Sequence, residues 1–176
     1  MTNITINKRN SKIKDLAFSL GLRSFREGKF DIAARVFELY DSINSPHFGF
    51  LGLLPCSETH CNRHSLRGYC YEKLGDKEKA NKCYREAAQS CVNKFSAEKR
   101  YFEEHNWKLP NYLTPMISDL YHPGMMYLEI GDISSALSCF NQILEYGNRK
   151  ETRDSHYCFF ERLAQDEINK INGETK

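Results

Sequence analysis

Long apolar runs are what this chain most lacks. The longest, FGFLGLL from Phe48 to Leu54, is far short of the roughly 20 residues that a membrane-crossing helix needs. The start, MTNITINKRNSKIK, has no apolar core of the kind a secretory leader carries. The expectation is therefore a cytoplasmic, soluble chain with no membrane partner, in which Asn3-Ile4-Thr5 is an idle glycosylation match. Charge of one sign is lacking too. There are 25 Lys and Arg against 23 Asp and Glu, a net charge of +2, and the basic residues are interleaved with acids. A nucleic-acid binder usually gathers its cations on one face, so RNA ranks last among the partners despite ten tyrosines and a pI near 8.1.

Disulfide patterning is absent as well. Seven cysteines, an odd count, are scattered as Cys56, Cys61, Cys70, Cys83, Cys91, Cys139 and Cys158. In a reducing compartment such thiols serve as small buried hydrophobes. The sequence has no nucleophile elbow, dinucleotide fingerprint or zinc-protease helix. Gly28-Lys29-Phe30 resembles the end of a phosphate loop, but no Ser or Thr follows the lysine. Glu103, Glu104 and His105 read as a solvated helix face. No catalytic residue and no cofactor is expected, so the chain is not read as an enzyme.

What the chain does have is a repeat. Three segments begin at Leu20, Arg67 and Pro123: LGLRSFREGKFDIAARVFELY, RGYCYEKLGDKEKANKCYREA and PGMMYLEIGDISSALSCFNQI. In each, two glycines stand seven residues apart: Gly21 and Gly28, Gly68 and Gly75, Gly124 and Gly131. An alanine follows five residues after the second glycine (Ala33, Ala80, Ala136), and an aromatic four residues after that (Phe37, Tyr84, Phe140). The spacing predicts a helix, a tight turn and an antiparallel helix. The second glycine tolerates the left-handed backbone of a helix C-cap. Asp31, Asp76 and Asp132 fall at the start of the next helix, where acids suit the N-terminus. Gly21, Gly68 and Gly124 clear the crossing of the two helices, and the aromatics are expected to fill the space between neighbouring hairpins.

This pattern resembles the tetratricopeptide repeat, most closely in the middle copy. The first copy has Ser24 where the other two have Tyr71 and Tyr127, and Arg67 and Pro123 stand where a leucine is usual. The resemblance implies an all-α, right-handed stack of helical hairpins, about seven helices, as one domain over 1–176. Its repeats cover about 14–46, 61–93 and 117–148. The period of that repeat is about 34 residues. The second glycines here are 47 and 56 residues apart, so insertions are placed at about 47–60 and 94–116. The first part of the second insertion is expected to lengthen the preceding helix. Tyr157, Phe160, Leu163, Ala164, Ile168 and Ile171 have helical spacing and predict a capping helix over about 150–171.

The resemblance also implies where a partner would sit, on the concave wall formed by the first helix of each hairpin. The family's concave positions fall on Asp15, Phe18, Leu22, Phe25 and Arg26, then on Asn62, Ser65, Tyr69, Glu72 and Lys73, and lastly on Ser118, Tyr121, Met125, Leu128 and Glu129. Phe18 and Leu22 occupy the places where co-chaperones of this family carry the lysine and asparagine of a carboxylate clamp, so that clamp is absent. Such a wall suits one protein or peptide partner. A toxin-neutralising (immunity) protein and a chaperone for a secreted protein both fit.

CSETHCNRH, residues 56–64, is the rival signal. Cys56, His60, Cys61 and His64 form a candidate zinc set, with His60 and His64 one helical turn apart. Against it, adjacent His60 and Cys61 diverge by about 100° around a helix. Four ligands in nine residues also lack the usual two separated pairs. A zinc-binding protein is the alternative to the partner-binding one.

Overall fold

The computed structural model describes residues 2–43, 58–105, 113–147 and 155–173. The described chain is all helix: α1 Thr2–Arg26, α2 Phe30–Ser42, α3 Glu58–Lys73, α4 Lys77–Glu104, α5 Leu113–Glu129, α6 Ile133–Gly147 and α7 Ser155–Ile171. Consecutive helices pair as α1–α2, α3–α4 and α5–α6, each hairpin packs on the next through α2–α3 and α4–α5, and α7 lies over α6 and α5. The Phe48–Leu54 run lies outside the described residues, as does most of what was assigned to the first insertion.

The turns repeat one geometry three times. Gly28, Gly75 and Gly131 have φ of 73°, 80° and 76°, a left-handed backbone that only glycine adopts without strain. Each glycine N–H donates to the carbonyl three residues back, and the next residue's N–H donates five back, as in Gly75 to Glu72 and Asp76 to Tyr71. Asp76 then accepts from the Lys79 N–H at 3.1 Å, and Asp132 from Ser135 at 3.2 Å, which start α4 and α6. Lys29 precedes α2 without such a cap, leaving Asp31 as a first-turn acid.

The crossing glycines work as the spacing predicts. A Cβ on Gly21 would lie 2.5 Å from the Phe37 ring, one on Gly68 2.8 Å from Tyr84, and one on Gly124 2.5 Å from Phe140. This corrects one expectation: each aromatic is seated first of all within its own hairpin, against that glycine, rather than between hairpins. Space between hairpins is filled by the tyrosines instead. Tyr71 donates to Glu38 of the preceding hairpin, and Tyr127 to Gln89 at 3.3 Å. Ser24 stands in their place on the first hairpin, where no earlier described hairpin exists for a tyrosine to reach.

Two helices outrun the repeat. α1 begins a dozen residues before the first repeat does, and α4 runs on to Glu104, lengthened as expected. The core is divided accordingly. One cluster holds Ala33, Phe37, Cys70, Ala80 and Cys83. The larger one runs from Ala88 and Phe95 through Leu120, Phe140 and Ile143 to Ala164 and Ile168. α7 contributes Phe160, Ala164, Ile168 and Ile171 to that second cluster, so it caps the last hairpin, with Phe159 turned outward.

Candidate functional site

The concave positions do not all face one open wall. Phe18 lies 6.1 Å, ring to ring, from both Phe37 and Tyr40, and Leu22 packs on the first core cluster. These two belong to the hairpin interior. On the third hairpin α7 covers the wall: Tyr121 is held between Phe140 at 5.9 Å and Phe160 at 5.7 Å, and Leu128 packs on the second cluster. Ser65 and Ser118 are half-buried, and Ser65 reaches Met126 across the α3–α5 contact. Asp15 is exposed, and the Asn62 side chain lies outside the described ones.

What remains is a surface at the turn-side ends of α1, α3 and α5. Phe25, Phe30 and Tyr69 form a three-ring group, with centroids 5.5 Å apart for Phe25–Tyr69, 5.8 Å for Phe25–Phe30 and 6.0 Å for Phe30–Tyr69. Helix periodicity puts Tyr69 there, one turn before Lys73, whose Nζ sits 4.8 Å above the Tyr69 ring. Arg26, Glu72, Lys73 and Glu129 at these helix ends are exposed, as is Met125, while Phe25 and Phe30 are half-buried on the first cluster. Tyr84 donates to Glu72 at 2.9 Å, and burial together with that carboxylate pushes the Tyr84 hydroxyl above its ordinary range. The patch is thus aromatic at its centre and zwitterionic at its rim.

A second cluster was not anticipated. Arg63 and Arg67, one turn apart on α3, both pair with Asp41 at the end of α2. Arg67 also donates to Glu86 of α4 at 2.8 Å and, through Nε, to the Cys83 sulfur at 3.1 Å. The Arg63 side chain is 2% exposed, and its guanidinium lies 4.5 Å over the Tyr40 ring. His64 sits among them, with Nε2 3.2 Å from Arg63 and Nδ1 3.3 Å from Glu86. The same Nδ1 lies 3.3 Å from an Arg67 nitrogen, so both ring nitrogens face arginines. Asp41, His64, Arg67 and Glu86, with Gln89, Ser90 and Asn93 of α4, border an open cavity of about 630 Å³. Asp41, Arg67 and Glu86 are engaged with one another, so the cluster reads as the joint between two hairpins. Its one sequence signal was Arg67 in the place of the expected leucine. Nothing in spacing linked it to Asp41 or Glu86, which come from other helices.

This arrangement accounts for His64, the last of the four candidate zinc ligands, as an inward residue of the joint. Cys56 lies outside the described residues, and so do the side chains of His60 and Cys61. Among the described residues no group of three or more His, Cys, Asp and Glu is placed to hold a metal, and no helix is long and apolar enough to cross a membrane. Cys70, Cys83, Cys91 and Cys139 are buried free thiols, and Cys158 is half-buried.

Comparison with known proteins agrees with the geometry where it speaks. Residues 61–91, which hold most of α3 and the first half of α4, match the family model of the tetratricopeptide repeat. No curated protein and no solved structure matches the chain.

Proposed function

We propose, from a chain whose middle hairpin is a tetratricopeptide repeat, that its stack of hairpins holds one dedicated protein partner and performs no catalysis. Repeats of this type are protein-interaction modules, and that much is general. The finer reading rests on one observation: Tyr69, packed on Phe25 and Phe30, and Met125 stay exposed on the first-helix side, while Phe160 of α7 covers Tyr121. Rigid aromatic side chains rimmed by charges of both signs are the usual anchors of a protein interface. A partner segment would lay an apolar side chain against Tyr69 and Met125 and set charged neighbours against Lys73, Glu72 and Glu129.

Within that reading the partner is a cytoplasmic protein, and neutralisation of a toxin is favoured over chaperoning of a secreted protein. The long departures from a regular period leave chain outside the repeat to shape a partner-specific surface, whereas a generic chaperone groove needs none. Nucleic acid, membrane and metal play no part in this proposal. Native mass spectrometry of the chain isolated gently from its host is the test. A stoichiometric protein partner is expected with the wild type and should be lost with Tyr69→Ser/Met125→Ser at unchanged Tm. A partner retained by that variant, or a bare chain carrying one zinc, overturns the reading.

A further inference from the structure

The first hairpin meets the rest of the described chain chiefly where α2 packs on α3. That joint crowds charge around one imidazole. His64 is 8% exposed, and its Nε2 lies 3.2 Å from an Arg63 nitrogen. Its Nδ1 lies 3.3 Å from an Arg67 nitrogen and 3.3 Å from a Glu86 oxygen. From α2, Asp41 pairs with both arginines, and Tyr40 lies against the Arg63 guanidinium. From α1, the buried Lys14 reaches the same Tyr40 ring at 5.2 Å. From α4 come Glu86 and the Cys83 thiol, both in contact with Arg67. Lys14, Arg63 and Arg67 thus face two carboxylates, Asp41 and Glu86, and positive charge is in excess before the ring gains any.

Whichever nitrogen carries its hydrogen, a neutral imidazole offers one acceptor, and a guanidinium offers only donors. The neutral ring therefore satisfies one of its two arginine contacts. An imidazolium has two N–H groups and no acceptor, so an added proton sets donor against donor at both. Glu86 alone gains, and its side chain is 38% exposed to water. Burial and two adjoining cations disfavour the charged ring by more than one hydrated carboxylate favours it. Asp41 is what fixes the two guanidiniums in this arrangement. Once α2 leaves, they can turn into water and the ring can charge.

We propose that His64 makes this joint acid-sensitive: as the pH falls from 7 to 5 the ring takes up a proton for which the docked arrangement has no place, and the α1–α2 hairpin undocks from α3. The joint between α4 and α5, built on Phe95, Ile117 and Leu120, has no imidazole in its core and stays closed. A ring that charges more readily undocked than docked costs nothing well above its ordinary value near 6.5 and opposes docking progressively below it. Asp41 works in the other direction. Burial raises its carboxyl above the ordinary carboxylate range, so acid favours the docked form there. A loss of docking between pH 7 and 5 is therefore not the work of Asp41. Phe25 and Phe30 stand on one side of this joint and Tyr69 on the other, so acid would also take the partner surface apart, a consequence that rests on the partner-binding reading.

Hydrogen exchange of the full chain at pH 7 and pH 5, corrected for the intrinsic chemical rate, tests the joint with no partner present. Amides of α1 and α2 should open up to about thirty-fold more often at pH 5, the most that a ring of ordinary value near 6.5 can supply, while α5 to α7 keep their protection. His64→Gln should abolish the difference. Equal protection of the wild type at both pH values overturns the proposal, as does an acid loss spread evenly over all helices or one that His64→Gln retains. Should that variant not fold, an NMR titration of the wild-type imidazoles decides. One of the six histidines should titrate below pH 6, and none doing so overturns the proposal.

Discussion

The joint between the first two hairpins and the joint between the second and third do the same mechanical work with opposite chemistry. At the first, Arg63 and Arg67 of α3 close on Asp41 of α2, with Tyr40 beneath and Glu86 and His64 alongside. At the second, Ile117 and Leu120 of α5 sit fully buried against Phe95 and Ala88 of α4, and charge is reduced to Lys94 between Asp119 at 2.8 Å and Glu98 at 3.8 Å. The repeat register is common to both, so the helices and turns do not depend on which chemistry fills the joint. What differs is tolerance. An apolar joint loses stability in proportion to the volume removed, while a buried ion pair fails when one partner goes and the other remains.

The largest expected effect follows from that contrast. Asp41→Leu should cost about 3–5 kcal/mol by leaving the enclosed Arg63 without its carboxylate, and Arg63→Met/Asp41→Leu should recover most of it, since Arg67 keeps Glu86. Leu120→Ala should cost about 2–5 kcal/mol, with no second substitution of that kind to restore it. Urea denaturation of the four proteins measures both. If the double replacement is no better than Asp41→Leu, the first joint is not an ion-pair joint in the sense argued.

A middle-sized effect tests what the hairpins share. Gly124→Ala pushes a methyl group to 2.5 Å from Phe140, which is fully buried and has nowhere to move, so a loss of about 1–3 kcal/mol is expected. Gly68→Ala meets Tyr84, whose half-buried ring has room to tilt outward, and should cost less. Thermal unfolding of the two variants ranks them. Equal losses would mean that the middle crossing is as closed as the last.

The smallest effect, nil at neutral pH, compares one repeat position in the two halves. Cys83 and Cys139 correspond in register and are equally buried, at 3% exposure each. Burial, with the Asp132 carboxylate adding to it, pushes the Cys139 thiol up to about 11. At Cys83 burial also raises the thiol, but the Arg67 guanidinium 3.1 Å away pulls it back. Cys83 should therefore ionise before Cys139 as the pH rises. A thiol held above its unfolded value lends stability below about pH 9 that is lost as pH climbs through the folded value, so the alkaline loss assigned to Cys139 should extend toward pH 11. Thiolate absorbance of Cys83→Ser and Cys139→Ser against pH reads the order directly. A Cys139 that titrates first would remove Arg67 from the account.

Much of the fold was legible because its determinants are local and recur. Gly28, Gly75 and Gly131 mark left-handed turns whatever surrounds them, and Gly21 needs only Phe37, sixteen residues on. Helix ends were less legible. α1 starts near Thr2 because nothing in MTNITINKRN breaks a helix, although the repeat itself begins later. The candidate surface was half legible: register located Phe25, Tyr69 and Met125, but it could not reveal that Phe18 and Leu22 turn inward or that α7 covers Tyr121. The arginine joint was the least visible, since Asp41, Arg67 and Glu86 stand 26 and 19 residues apart with no rule of spacing between them.

The sequence by itself determined that this chain would be a stack of helical hairpins, how many there would be and where each would turn, because glycine φ and helical period act within a few residues. Only the tertiary structure decided which of the first-helix side chains meet solvent, because that depends on what the neighbouring hairpin and the last helix cover. It likewise decided that two arginines would carry the first joint, since a buried cation is tolerable only where a distant carboxylate is delivered to it.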